Sequence, residues 1–364
     1  MKREEKLYWI GFSVFPGIGP KRFALLKKYF GSAKKAWRAP KEKLIKTGLS
    51  QKLVSNFIDF RKKTDLASLS AKLQKLGIKV ITIDDKDYPN NLQKIDSAPF
   101  IIYLMGNLKP QDELAIAVIG TRKISSYGQQ VTESLVADLV AAGLTIVSGM
   151  AYGVDLLAHN SALQNDGRTI GVWAGGLDSV APGFRKNIVE KISKTNRGVI
   201  ISEFPLGLNP SRGTFPARNR LISGLSLGVL VTEAAQGSGS LITAEHAVKQ
   251  GRQIFAVPGP ITSQLTAGTA KLLQSGAKLV YHVKDILDEL DLSERQGKIK
   301  ARTILPESKE EAEILKILEN ETKHLDQIVR ESSLKTAQVA SLVSMMEIKG
   351  KIKNLGGMIY TINK

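Results

Sequence analysis

The chain has 364 residues, 43% of them hydrophobic and 24% charged, with no cysteine and a formal net charge of +18. That composition can bury a core, and it excludes bulk disorder, a collagen-like fibre, disulfide scaffolds, Cys-type zinc sites, iron–sulfur clusters and thiol catalysis. No apolar run approaches the ~18 residues of a membrane span and the charged start MKREEKLYWIGF lacks a signal-peptide core, so the expectation is a cytoplasmic protein with no membrane partner.

The charge is unevenly placed. Residues 1–75 carry 19 basic and 5 acidic side chains, against 20 and 18 in 76–290 and 13 and 11 in 291–364. A basic segment on a near-neutral remainder points to a polyanionic partner. Residues 1–76 read as several short helices, from the apolar spacing of Phe23, Leu26, Tyr29 and Phe30 and then of Leu53, Val54, Phe57 and Ile58. Between the first two helices lies Phe15-Pro16-Gly17-Ile18-Gly19-Pro20-Lys21-Arg22. Two glycines around one apolar residue allow a tight turn that leaves the N–H groups of the next helix open to a phosphate. The pattern resembles the helix-hairpin-helix family of sequence-independent DNA binders, with a weaker second copy at Thr47-Gly48-Leu49-Ser50.

Residues 77–290 alternate between apolar, strand-length runs and amphipathic stretches. The runs are Val80–Ile83, Ile101–Leu104, Ile116–Ile119, Thr145–Val147, Thr169–Trp173, Val199–Ile201, Gly228–Val231, Gln253–Val257 and Lys278–Val280; helices are expected over 127–142, 153–165, 184–194 and 240–250. This alternation predicts an α/β fold on a parallel sheet covered on both faces. Ligands of such sheets lie outside the carboxyl ends of the strands. The loops expected there are rich in Gly, Ser and Thr: Gly120-Thr121-Arg122, Ser148-Gly149 through Gly153 to Asp155, Gly175-Gly176-Leu177-Asp178, Gly237-Ser238-Gly239-Ser240 through Thr243, and Pro258-Gly259-Pro260. Several loops of that kind on one sheet edge predict a phosphate-binding face.

Basic residues join the face. Arg122 follows a strand directly, and Ser211–Arg220 holds Arg212, Phe215, Arg218, Asn219 and Arg220. Arginine offers paired donors to phosphate, asparagine can bond a base edge, and an exposed ring can stack on a base. Pairing of Arg218 and Arg220 with Glu203 or Glu233, with Phe215 in the core, is the competing structural reading. Arg185 and Lys186 fall near the same rim. There is no dinucleotide fingerprint and no Walker A motif, and His159, His246, His282 and His324 show no metal spacing. No cofactor, metal or catalytic residue is therefore expected.

Together these segments resemble one family. The run Ser148–Asp155 with His159, Phe215-Pro-Ala-Arg218-Asn219-Arg220, Gly237–Ala244, Phe255–Gly259, and the lead-in Tyr88-Pro89 with Leu92 and Pro99 are similar to the DNA-processing protein A (DprA, or Smf) family. The resemblance is close over 80–290 and follows the family's domain order throughout. It implies an extended Rossmann-like domain that binds single-stranded DNA, forms a homodimer through that domain, protects incoming strands and loads RecA during natural transformation, without catalysis. It also implies a phosphate anchor at Arg122, with Lys186, Arg212, Arg218, Asn219 and the Ser238–Ser240 loop along the strand and Phe215 as a stacking ring. Two departures stand out: Ala181-Pro182 where the family usually has Tyr-Pro, and Gly268-Thr269-Ala270 where it often has Gly-Thr-Asn.

Residues 291–308 read as a polar linker. Residues 309–364 read as three helices, Lys309–Glu319, Leu325–Glu331 and Thr336–Lys349, followed by a hairpin of Ile352–Asn354 and Met358–Ile362, an order that resembles a winged helix. Val339, Leu342, Val343 and Met346 read as core, so the presumptive recognition helix has little to offer a DNA groove. The expected architecture is thus a Rossmann-like, mostly parallel sheet (77–290) between a helix-hairpin-helix or SAM-like helical domain (1–76) and a winged helix (309–364). The alternative function is an enzyme acting on a nucleoside monophosphate, with Glu233 or Glu245 as its carboxylate.

Overall fold

The computed structural model describes residues 3–180, 185–295, 306, 308–319, 321–348 and 351–362. The chain divides into two compact units, residues 1–296 and 297–364.

The first unit opens with six helices: α1 (Arg3–Val14), α2 (Pro20–Phe30), α3 (Ala33–Arg38), α4 (Lys41–Ile45), α5 (Gln51–Lys63) and α6 (Leu66–Lys75). Local chemistry sets their starts. Ser32, Ser50 and Asp65 accept N–H bonds from the first turns of α3, α5 and α6, which satisfies donors that a helix leaves open. The helices close on an aromatic core of Trp9, Phe12, Phe23, Trp37 and Phe57. Phe23 stacks on Phe100 at 4.1 Å, so this core runs into the α/β body.

The body contains β1 (Lys79–Thr82), α7 (Asn90–Gln93), β2 (Ile101–Gly106), β3 (Ala115–Gly120), α8 (Ser126–Ala141), β4 (Thr145–Ser148), α9 (Val154–Gln164), β5 (Thr169–Val172), α10 (Arg185–Lys194), β6 (Gly198–Ser202), α11 (Thr214–Gly224), β7 (Gly228–Glu233), α12 (Gly239–Lys249), β8 (Gln253–Ala256), α13 (Ala267–Gln274), β9 (Lys278–Leu279) and α14 (Val283–Glu289). The nine strands form one sheet in the order β1-β2-β6-β5-β4-β3-β7-β8-β9. Strands β3 to β9 pair in parallel, whereas β2 is antiparallel to both β6 and β1. A parallel pair needs a long crossover, usually a helix, and the link between β1 and β2 holds only the four-residue α7. Strand order reverses at β3, which places a crevice at its carboxyl end. At the opposite end, Arg168 bonds Asp112 through two donors, at 2.9 and 2.7 Å, deep in the protein.

The second unit contains α15 (Lys309–Ile317), β10 (Lys323–His324), α16 (Leu325–Glu331), α17 (Thr336–Ile348), β11 (Ile352–Asn354) and β12 (Ile359–Ile362). Its sheet has three strands, ordered β10-β12-β11. The expected hairpin thus gains a strand, since a two-residue strand leaves no alternation for a sequence pattern to register. Val339, Val343 and Met346 are buried in its core, with Leu342 packed against it.

Candidate nucleic-acid interface

The loops that follow β3, β4, β5 and β6 converge on an open cleft of about 800 Å³, lined by Arg122, Gly149–Tyr152, Trp173, Asp178, Ser179, Asn209, Pro210 and Phe215. Arg122 and Phe215 meet at its mouth. The guanidinium carbon lies 5.5 Å from the centre of the Phe215 ring, a cation–π separation. Arg122 is exposed, and among the described residues it has no carboxylate partner. Its charge is held in place by a ring rather than neutralised.

Arg218 has a different role. It is 4% exposed, and one of its terminal nitrogens donates to the carbonyls of Gly149 and Val172, the latter at 2.9 Å. A side chain at Gly149 would collide with this guanidinium and come within 2.6 Å of the Asp155 carboxylate, so glycine is what lets the arginine under the loop. Burial pushes the Asp155 carboxyl upward, and the Arg218 charge pulls it back. Burial, with help from the same cation, pushes His159 down to about 3, so the imidazole beneath the cleft is neutral at pH 7. Arg220 is also internal. It pairs with Glu203, both side chains being about one-eighth exposed (13% and 12%).

The other expected residues divide similarly. Arg212 and Lys186 are exposed at the carboxyl edge of the sheet. Thr121 is buried, with its N–H on the Glu233 carbonyl at 2.7 Å, and Ser148 donates inward to Val118 at 2.7 Å. Gly120 and Gly153 abut neighbouring backbone so closely that a Cβ would not fit. Ser238, Gly239 and Ser240 lie outside the cleft lining, at the start of α12, where Ser238 accepts from the Ser240 N–H. Thr243 is buried. Asn219 connects the two regions by donating to the Gly239 carbonyl at 3.3 Å. Arg218, Arg220, Thr121, Ser148 and Thr243 thus all have their polar atoms bonded or buried inside the protein. The Ala181-Pro182 departure lies outside the described residues; Ala270 is exposed on α13.

Sequence reasoning passed over several lining residues. Tyr152 is 53% exposed at the cleft, and the signal was present: an aromatic residue between two glycines at a loop tip. Asp178 accepts the Gly207 N–H at 3.0 Å, tying the β5 and β6 loops together. Of the two carboxylates of the enzyme alternative, Glu245 is exposed on α12, and Glu233 is fully buried and accepts from the Ser125 N–H at 2.9 Å and hydroxyl at 2.5 Å, so it anchors the entry to α8. Among the described residues no cluster of three potential metal ligands occurs, and no helix is long and apolar enough to cross a membrane.

The class these features define is a Rossmann-like α/β body whose crevice carries Arg122 beside an aromatic ring, joined in sequence to a winged-helix unit. Residues 79–291 match the family model of DNA recombination-mediator protein A, and residues 299–358 match the DprA winged helix domain. The chain therefore belongs to the DprA/Smf family of DNA-processing recombination mediators. It is 32% identical to Protein Smf of Synechocystis over 99% of both chains. The solved DNA processing protein A of Streptococcus pneumoniae superposes with a TM-score of 0.69 at 35% identity, covering 79% of this chain and 98% of that one. A structure from Helicobacter pylori, described as revealing a unique single-stranded DNA binding mode of DNA processing protein A, gives 0.51 at 30% identity over 58% of this chain and 95% of that one.

Proposed function

We propose that the cleft binds single-stranded DNA without catalysis, protects it, and presents it to the RecA recombinase, with a homodimer as the working form. The observation that carries this reading is the Arg122–Phe215 pair. It sets a fixed cation for a phosphate beside an aromatic face for a base, in a cleft that is also lined by the exposed Tyr152. A duplex keeps its bases stacked internally, so exposed rings favour single strands. Family membership and the strand-binding relative from Helicobacter support the same ligand. Exposed Val248, Ile261, Leu279 and Tyr281, on or beside the β8–β9 edge, supply apolar surface for a second copy, and Tyr281→Glu should shift the sedimentation coefficient towards a monomer.

With Arg218 and Arg220 internal, three rim cations remain: Arg122, Lys186 and Arg212. About three phosphate contacts give a single-strand log–log salt slope near −2, where five would give about −3.5. Fluorescence anisotropy of a labelled oligonucleotide tests the reading. Phe215→Ala should weaken single-strand binding by ~1–3 kcal/mol, the usual range for a stacked base. Arg122→Ala should weaken it and make the slope shallower by ~0.7. Unchanged binding in both variants, or turnover of a free nucleotide, would transfer the function elsewhere. RecA filament growth on strands pre-coated with the protein, slowed in the same variants, is the corresponding test of loading.

A further inference from the structure

Of the charged side chains that line the cleft, Arg122 suits a polyanion and Asp178 opposes one. Asp178 is exposed there, and among the described residues no cation pairs with it. Its position is fixed by the loops around it. Both carboxylate oxygens accept the Gly207 N–H, at 3.1 and 3.0 Å. A side chain at Gly176 would come within 2.5 Å of Asp178 Oδ1, so glycine leaves the carboxylate its place after β5. A carboxylate has about four acceptor sites, and one shared N–H leaves others open to a ligand.

Other polar groups of the lining are satisfied within the protein. Trp173 Nε1–H donates to Ser179 Oγ at 3.1 Å, and the Ser179 hydroxyl donates to the Gly176 carbonyl at 2.7 Å. Asn209 is exposed and, among the described residues, its side chain has no partner, but an amide both donates and accepts. Asp178 is therefore the acceptor-only side chain of a cleft whose walls otherwise carry rings, Tyr152, Trp173 and Phe215. The sugar–phosphate backbone of an unbroken DNA strand has no hydrogen-bond donor, so every donor it can offer lies on its bases. Cytosine, adenine and guanine each project an exocyclic amino group. Thymine offers a single N–H flanked by two carbonyl oxygens, both of which repel a carboxylate.

We propose that Asp178 is a specificity-determining residue of the cleft, which accepts a hydrogen bond from the exocyclic amino group of an unstacked base and so disfavours thymine. The inference rests on the reading of the cleft as a single-strand site and adds which bases that site takes. The two opposed charges also orient the strand. Phosphates are drawn to Arg122 and repelled from Asp178, so a base edge is what Asp178 meets. Stacking on Phe215 tolerates every base, because each has a π-face. Discrimination is left to the edge, where the carboxylate stands.

The test uses the full chain and two labelled oligomers of equal length, oligo-deoxycytidine and oligo-deoxyuridine. These differ only along the Watson–Crick edge, an amino group and a bare ring nitrogen in one against a carbonyl and an N–H in the other. Fluorescence anisotropy at neutral pH should show the cytidine oligomer bound about fivefold more tightly by the wild type, the worth of one net hydrogen bond. Asp178→Asn keeps an oxygen for the Gly207 N–H and adds a donor, so the ratio of the two affinities should fall to within about twofold. Loss of the negative charge strengthens both oligomers alike, which makes the ratio the readout. An Asp178 that only ties the loops would leave the ratio at its wild-type value in the variant and overturn the proposal. Equal wild-type affinities, or a preference for uridine, would overturn it and leave the single-strand reading standing, whereas no binding to either oligomer would overturn both.

Discussion

The cleft and the N-terminal helices handle cations in opposite ways. In the α/β body, arginines serve mainly as internal braces: Arg168 bonds Asp112, Arg218 bonds two carbonyls, and Arg220 pairs with Glu203. In the first 75 residues most lysines are exposed around an aromatic core. An arginine bonded to carbonyls shapes a site before any ligand arrives. An exposed lysine contributes long-range attraction and must be ordered when it binds. A count of basic residues in a stretch therefore says little about how much charge its ligand meets; what matters is how many of their donors remain outside.

The sharpest way to break that contrast is Arg218→Ala. Removing one member of a buried ionic set leaves Asp155 uncompensated and should cost ~3–5 kcal/mol in chemical denaturation. The next effect is on pH. The His159 imidazole, held near 3 in the fold, titrates near ~6.5 when unfolded. The unfolded chain then binds more protons between those values, so stability falls as pH falls, by ~1.4 kcal/mol per unit and ~2.7 kcal/mol by pH 4.5. That part of the acid slope should vanish in His159→Asn. The smallest effect belongs to Arg212→Ala, six residues before Arg218 in the chain. Stability should stay within ~0.5 kcal/mol, while the single-strand salt slope becomes shallower by ~0.7. If Arg212 and Arg218 behaved alike in denaturation, the division into braces and ligands would fail.

All nine strands of the body were legible as apolar runs, from Val80–Ile83 to Lys278–Val280, with ends displaced by a residue or two. Burial on both faces makes such strands continuous rather than alternating, and that signal is local. Strand order and sense are not local, and the antiparallel entry through β1 and β2 left no mark beyond the shortness of α7. In the site, Arg122 was visible from its position directly after a strand, and Phe215 from the arginine-rich stretch Ser211–Arg220 that holds it. Arg212 and Arg218 look equivalent in sequence. They diverge because residue 218 lies on the face of α11 that packs beneath the Gly149 loop, where the absent Cβ leaves room for a guanidinium. The two-residue β10 depended on a partner distant in the chain, whereas Tyr152 carried a local signal, a ring between two glycines, that was passed over.

The meeting of Arg122 with Phe215 also sets a timetable for biosynthesis. The helical core is complete once Phe100 is available to stack on Phe23, whereas the mouth of the cleft exists only after residue 215 has been made and α11 has docked. A chain emerging from the ribosome thus displays its basic helices well before it can seat a nucleobase. Fragments released early would keep an attraction for polyanions and lack the ring that gives that attraction its selectivity.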